Sequence, residues 1–237
     1  MNKKWKVLVT GRIHEQAIEN LKKFNKVEVY YHPDCSLINL EKLTKDIHVL
    51  ITRSETSISS SFLDNAKNLR IIARAAVGVG NIDIEAATRK GILVLNTPGR
   101  NTNSAAEHTV ALLLSMFRNI PQAYQKMKKG GWDRHSFIGY ELHRKRVGII
   151  GFGNVGHRVA KFLQSFDMNI FVYDPYVASD IFARCGVVAC DSLSNLFTKV
   201  DIVSIHVPLC AQTKYMIDAE MFSRMQPGTF FINTASL

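Results

Sequence analysis

The sequence lacks any apolar run near the ~18 residues that a membrane-spanning helix requires. Its N-terminus, MNKKWKVLVTG, passes from lysines straight into a strand pattern, without the apolar stretch and cleavage site of a secretory leader. The four cysteines, Cys35, Cys185, Cys190 and Cys210, show neither CxxC nor zinc-finger spacing. They read as reduced thiols in the core or near the surface, and no metal site is expected. Acidic residues are the scarcer sign, 20 against 30 Lys and Arg, for a net charge of +10. The short basic clusters (Lys126, Lys128, Lys129; Arg144, Lys145, Arg146) are not interleaved with aromatics as a base-stacking platform would be. Solvated faces and an attraction for small anionic ligands are therefore favoured over nucleic-acid or membrane binding. A soluble, cytoplasmic protein is the expectation.

What is present is a globular composition, 46% hydrophobic and 21% charged over 237 residues, with strand-like and helix-like segments alternating nearly throughout. That rhythm predicts parallel sheets covered by helices, an α/β fold. Residues 5–10, 27–31, 49–52, 71–75 and 92–95 read as strands, separated by helical stretches such as HEQAIENLKKF, LINLEKLTK, SSFLDNAKN and IDIEAATRKG. These form a flavodoxin-like unit over residues 1–100. A cap at Asn103 or Ser104 then opens a long helix, AAEHTVALLLSMFRN, stopped by Pro121. It is apolar nearly all round, so it should be covered on all sides, as a central helix between domains or as a homodimer interface over residues 104–119. A polar linker, QKMKKGGWDRHSFIGYELHRKR, leads into the rest of a second unit over 101–237, with strands at 147–150, 170–173, 187–189, 202–206 and 230–233.

The second unit carries Gly151, Gly153 and Gly156 as G-x-G-x-x-G, directly after an apolar strand and at the start of a helix. In that context the spacing has a physical meaning. Gly151 permits the tight turn, Gly153 lets the backbone approach a pyrophosphate, and Gly156 lets helix and strand pack closely. The phosphates would sit on N–H groups at the helix start, near Asn154 and Val155. Asp174, eighteen residues beyond the last glycine and at the end of the next strand, would accept hydrogen bonds from the adenosine ribose. Its charge would repel a 2′-phosphate, so NAD is expected rather than NADP.

Several further blocks stand in one order along the chain: ITRSETSIS, LRIIARAAVGVGNIDIEAATRKGILVLNTPGRNTNSAAEHTVALLL, GIIGFGNVGHRVA, VYDPY and DIVSIHVPLCAQTKYMI. Together they resemble the D-isomer-specific 2-hydroxyacid dehydrogenases, the family that includes the phosphoglycerate dehydrogenases. The resemblance implies a flavodoxin-like substrate domain joined to a Rossmann domain with a doubly wound parallel sheet, and hydride transfer between NAD and a small anionic 2-hydroxy or 2-oxo acid. It places Arg53 and Ser54 in a substrate-side loop. It gives Gly78, Val79, Gly80 and Asn81 the task of holding the substrate carboxylate on bare N–H groups. Thr102 lies toward the nicotinamide, and His206 and Pro208 line the cofactor pocket, as Thr234 and Ala235 do. His206 by itself reads as a satisfied strand-end histidine, and the family does not use this position as its acid.

The family's catalytic arginine belongs to an Asn-Thr-Ala-Arg-Gly block, whereas this sequence reads Asn233, Thr234, Ala235, Ser236, Leu237. The catalytic glutamate and histidine would follow farther on. The Rossmann domain is therefore expected to be incomplete, and this chain alone to be inactive, since an oxyanion-directed cation is worth ~10²–10³ in rate and a proton donor ~10²–10⁴. A catalytically silent NAD-binding sensor or partner protein, or a non-functional remnant, is the alternative to a dehydrogenase.

Overall fold

The computed structural model describes residues 4–34, 40, 42–133 and 135–235. The chain divides into two compact units, Met1–Arg100 and Asn101–Leu237. In the first, strands β1 (Trp5–Thr10), β2 (Val27–His32), β3 (Val49–Thr52), β4 (Ile71–Arg74) and β5 (Leu93–Leu95) form a parallel sheet in the order β2-β1-β3-β4-β5. Parallel neighbours need crossovers, supplied here by α1 (Glu15–Lys22), α2 (Ser60–Asn65) and α3 (Ile84–Arg89). Side-chain alternation along β1 decides which face each helix covers. Val7 and Val9 pack with Ile18 of α1, while Leu8 joins Leu50, Ile72, Phe62 and Ala86 on the other side. Ser59 and Asp83 cap α2 and α3 by accepting from Phe62 N and Ala86 N. This 2-1-3-4-5 order is the flavodoxin-like one.

In the second unit, β6 (Arg146–Ile150), β7 (Asn169–Tyr173), β8 (Val188–Ala189), β9 (Ile202–Ile205) and β10 (Phe230–Asn233) are again all parallel, in the order β10-β9-β6-β7-β8. Counted within the unit this is 3-2-1-4-5, the order of a Rossmann sheet. Helices α4 (Thr102–Phe117) and α6 (Asn154–Gln164) pack together on one face, where Leu113, Phe117, Val159 and Leu163 meet Val147, Ile149 and Val172. Helix α7 (Leu193–Lys199) covers the other through Leu196 and Phe197 against Ile150 and Val203. Helices on both faces make the sheet doubly wound. The reversal of strand order falls at β6/β9 here and at β1/β3 in the first unit, the points where open α/β sheets bind ligands outside their carboxyl ends.

The long helix differs from its sequence expectation. It begins at Thr102, ahead of Asn103 and Ser104, and its cap residue Asn101 makes no side-chain capping bond. Neither expected capping residue serves, since both Asn103 and Ser104 already lie inside the helix, whose buried stripe is Ala106, Thr109, Leu113 and Phe117. Its end is not set by Pro121. Asn119 enters the left-handed region (φ 52°), which asparagine tolerates, and the Phe117 carbonyl accepts from Tyr140 N at 2.8 Å. Pro121 instead sits in the first turn of α5 (Ile120–Lys128), where a missing N–H costs nothing. That helix takes in the start of the stretch expected to be a linker. Within the single chain, Leu112 and Met116 of α4 are 38% and 39% exposed. The 37–45 stretch expected as a helix lies partly outside the described residues, and its described part runs into a 3-10 turn, Thr44–Asp46. No helix among the described residues is long and apolar enough to cross a membrane.

Candidate functional site

The glycine loop follows β6 directly. Gly151 has φ +89°, and its N–H donates to Tyr173 O at 2.9 Å. A Cβ there would meet Val207 Cγ1 at 2.7 Å and His206 O at 2.8 Å. At Gly156 a Cβ would fall 2.0 Å from the Gly151 carbonyl oxygen. Both residues are therefore demanded by the protein's own packing. Gly153 is not: its φ is −75°, and a Cβ there meets nothing within 4 Å. It precedes α6, whose first intrahelical bond runs from His157 N to Gly153 O. The preceding N–H groups, those of Asn154 and Val155 among them, have no intrahelical acceptor and carry the positive end of an 11-residue helix. A loop whose middle glycine flanks open space beside orphaned N–H groups is what a pyrophosphate needs.

Asp174 is tied into this loop, which its sequence position did not reveal. One carboxylate oxygen accepts from Phe152 N at 2.8 Å and the other from Tyr176 N at 2.9 Å. It thus fixes the glycine loop against the end of β7, and each oxygen keeps lone pairs for a further donor. His206, after β9, donates its backbone N–H to Ile150 O and places Nε2 2.8 Å from Ser204 Oγ. Burial lowers its pKa to about 4, so it is a neutral imidazole at pH 7. Ser204 was missed by sequence reasoning, although its place two residues before His206 on a strand puts both side chains on one face. Pro208 O accepts from Thr213 Oγ1 at 2.5 Å. Pro208 and Ala235 line one cavity of about 310 Å³ with Thr213, Phe222 and Asn233.

At the end of β10, Thr234 Oγ1 lies 2.6 Å from Thr109 Oγ1, whose own proton goes to Ala105 O at 2.9 Å. Thr234 is therefore the donor of that pair, and the strand end is pinned to α4 within the unit. Ala235 N donates to Asn233 Oδ1 at 3.0 Å. No hydrogen bond among the described residues connects Thr102 to the glycine loop, and Ser236 lies outside the described residues.

In the first unit, Arg53 follows β3 at the switch point. Its Nη1 donates to Arg12 O at 3.0 Å, and its Nε stands 3.9 Å from Glu55. The loop Gly78–Gly80 follows the adjacent β4. Among the described residues no acceptor pairs with the N–H groups of Val77, Gly78, Val79 or Gly80. A Cβ at Gly78 or Gly80 would meet nothing within 4 Å. Asn81 is different, because its side chain bridges to the Arg53–Ser54 loop. Its Nδ2 donates to Ser54 O at 2.6 Å and Thr56 O at 3.1 Å, while its Oδ1 accepts from Arg74 Nη2. Arg74 is 1% exposed and was not singled out from the sequence; burial lowers its pKa.

Residues 110–236 match the family model described as D-isomer specific 2-hydroxyacid dehydrogenase, NAD binding domain. D-3-phosphoglycerate dehydrogenase of Methanocaldococcus jannaschii is 41% identical over 230 residues, 97% of this chain and 44% of that protein. The D-lactate dehydrogenase of Aquifex aeolicus, solved with NAD and lactic acid, is 29% identical at a TM-score of 0.82, over 97% of this chain and 68% of that one. A D-isomer specific 2-hydroxyacid dehydrogenase from a Polaromonas species, called putative, superimposes at TM-score 0.89 with 23% identity over 98% of this chain and 74% of that one, a likeness of fold. The chain spans less than half the length of the curated relatives that it matches over most of its own.

Proposed function

Because the chain belongs to the D-isomer-specific 2-hydroxyacid dehydrogenase family, we propose that it serves an oxidoreductase acting on the CH–OH group of a D-2-hydroxy acid, or on the 2-oxo acid in reverse. The observation that carries this reading is the open flank of Gly153 beside the orphaned N–H groups that start α6. NAD, the family's cofactor, supplies the hydride acceptor when bound. The N–H groups at Gly153, Asn154 and Val155 would hold its pyrophosphate, with Gly151 and Gly156 shaping the turn. Asp174 would accept from the adenosine ribose and repel a 2′-phosphate. Thr102, His206, Pro208, Thr234 and Ala235 would line the rest. On the substrate side, the N–H groups of Gly78, Val79, Gly80 and Asn81 would hold the carboxylate, flanked by Arg53 and Ser54, as the phosphoglycerate dehydrogenase-like resemblance implies.

The support drawn from the described residues is for cofactor binding, and the expected inactivity rests on the sequence resemblance. His206, neutral at pH 7 and hydrogen-bonded to Ser204, is not at the family's acid position, and Ser236 stands where the resemblance puts an arginine. The 237-residue chain is therefore expected to bind NADH and not to oxidise it. Saturable quenching or enhancement of NADH fluorescence is the expected result, with NADPH binding more weakly. Absence of saturation would remove the cofactor reading, and steady NADH oxidation with hydroxypyruvate, glyoxylate or 2-ketobutyrate would overturn the expected inactivity. Ser236 also favours a second reading, a catalytically silent NAD-binding sensor or partner. A homodimer through the 104–119 helix belongs to the same proposal. It is supported by exposed Leu112 and Met116 on α4, continued by Ile120, Tyr124 and Met127 on α5. Sedimentation equilibrium is expected to give twice the chain mass, and a monomer at all concentrations would end it.

A further inference from the structure

The loop after β3 and the loop after β4 make up the two halves of the proposed carboxylate site. They are joined by an arrangement that no part of that proposal requires. Asn81 spends its whole amide on the joint: Nδ2 on Ser54 O and Thr56 O, Oδ1 on Arg74 Nη2. Arg74 closes the circuit, its Nη2 donating also to Thr56 O at 3.0 Å. The backbone follows the same seam, with Ile58 N donating to Asn81 O at 2.8 Å and Asp83 N to Ile58 O at 2.9 Å, around a parallel bridge between Ile58 and Ile82.

The joint is made at a cost. Arg74 is nearly inaccessible, yet its Nε and Nη1 are buried with no acceptor among the described residues. A guanidinium has five N–H donors in a fixed fork, and leaving some unpaired in the interior is unfavourable. No carboxylate forms an ion pair with it among the described residues, Glu55 being paired with Arg53 instead. A core position held by an apolar residue would avoid this penalty, so the exception calls for a local reason. The seam offers one: only a long side chain with a directional donor reaches Thr56 O and Asn81 Oδ1 together from the end of β4.

We infer that Asn81 and Arg74 are positioning residues, a clasp that holds the Arg53–Ser54 loop and the Gly78–Gly80 loop in one register so that an anion engages both at once. The inference rests on the carboxylate-site reading above. On it, Asn81 acts through its side chain on the neighbouring loop, in addition to any contact by its backbone N–H.

The test uses the full chain and compares wild type, Asn81→Ala and Asn81→Asp. Asn81 is exposed and lies outside the apolar clusters, so the variants keep the core. The aspartate retains an acceptor for Arg74 but has no donor for Ser54 O and Thr56 O, which separates the two halves of the clasp. The first measurement is hydrogen exchange without ligand. Exchange should quicken in both 52–58 and 75–83 in the two variants, while β1 stays protected. Quickening confined to 75–83, or spread across the whole unit, would overturn the clasp. The second measurement titrates oxalate, a simple dicarboxylate probe. Wild type should gain protection in both segments with one affinity. Both variants should bind roughly tenfold more weakly, the worth of about one positioning hydrogen bond, and lose the protection at 52–58. If Asn81→Asp binds oxalate like wild type, the donors to Ser54 and Thr56 have no positioning role and the inference fails. If wild type itself shows no response to oxalate, the carboxylate-site reading falls and the positioning role with it. The ligand-free exchange data then decide separately whether the mechanical clasp exists.

Discussion

Each unit ends one of its strands in a glycine-rich loop with unpaired N–H groups, and the two loops are built on different principles. In the second unit, Gly151 and Gly156 are required by the fold before any ligand arrives: one by a left-handed turn under His206, the other by contact with the Gly151 carbonyl. Only Gly153 is not demanded by the protein's own packing. In the first unit, neither Gly78 nor Gly80 meets anything a methyl group would displace. That loop is held from outside, by the side chains of Asn81 and Arg74. The buried basic groups behind the loops differ in the same sense. His206 is kept neutral by burial, with its imidazole satisfied by Ser204, whereas Arg74 carries its charge into the interior. One loop is shaped by backbone sterics and a helix end, the other by a side-chain clasp on a glycine stretch that ends ahead of the Asp83 cap of α3.

The largest effect should come from making the second loop's internal demand fail. Gly156→Ala sets a methyl 2.0 Å from a backbone oxygen that cannot move without unravelling the turn. Thermal melting followed by near-ultraviolet circular dichroism is expected to show a loss of about 3 kcal/mol or more. A variant melting within a degree or two of wild type would mean that helix and strand can separate without cost.

Acid should break the second unit before the first. His206 has a folded-state pKa of about 4 against 6.5 unfolded, so between those values the unfolded chain binds the extra proton. Stability then rises with pH across that window and is lost as pH falls from 6.5 toward 4, by about 3 kcal/mol at most. Arg74 does not titrate in this range, and nothing equivalent acts on the first unit's loop. Urea unfolding at pH 7 and pH 4.5 should show the slope in wild type and a flatter one in His206→Gln; equal slopes would show that the imidazole is not the group responsible.

Next in size is the ligand-directed glycine. Gly153→Ala should fold as wild type does, because the added methyl meets no protein atom within 4 Å. It should weaken NADH binding by roughly tenfold to a hundredfold, since hydrogen bonds to a charged partner are worth ~1.5–3 kcal/mol. Unchanged affinity would show that the open flank is not where the pyrophosphate lies.

These differences explain what could and could not be read from the residues alone. Strand positions were legible because ten short apolar runs sit between turn residues, and the period-2 pattern of Val7, Leu8 and Val9 survives into two distinct packed faces. The G-x-G-x-x-G loop was legible because its glycines answer to local sterics and its helix follows at once. The start of α4 was not, since Asn103 and Ser104 are both good caps in isolation, yet both lie inside a helix that begins at Thr102 without a side-chain cap. The role of Asn81 was visible only as a loop residue. Its partners Ser54 and Thr56 lie more than twenty positions away, and nothing local announces a bond across the β3–α2–β4 crossover. Arg74 reads as an ordinary strand-end cation until its burial is known.

The smallest expected effect is the one that best separates the two designs. Gly78 and Gly80 do not occupy the left-handed region, so alanine fits their native conformation and restricts the unfolded chain. Gly78→Ala or Gly80→Ala should therefore stabilise the first unit slightly, by ~0.4–1 kcal/mol. The same change at Gly151, with φ +89° and His206 O at 2.8 Å, can only destabilise. If these loop glycines are kept for a ligand, the gain in stability should come with weaker oxalate binding, because the methyl group occupies the approach to the N–H groups. Improved stability with oxalate affinity unchanged would mean that the glycines serve neither fold nor ligand.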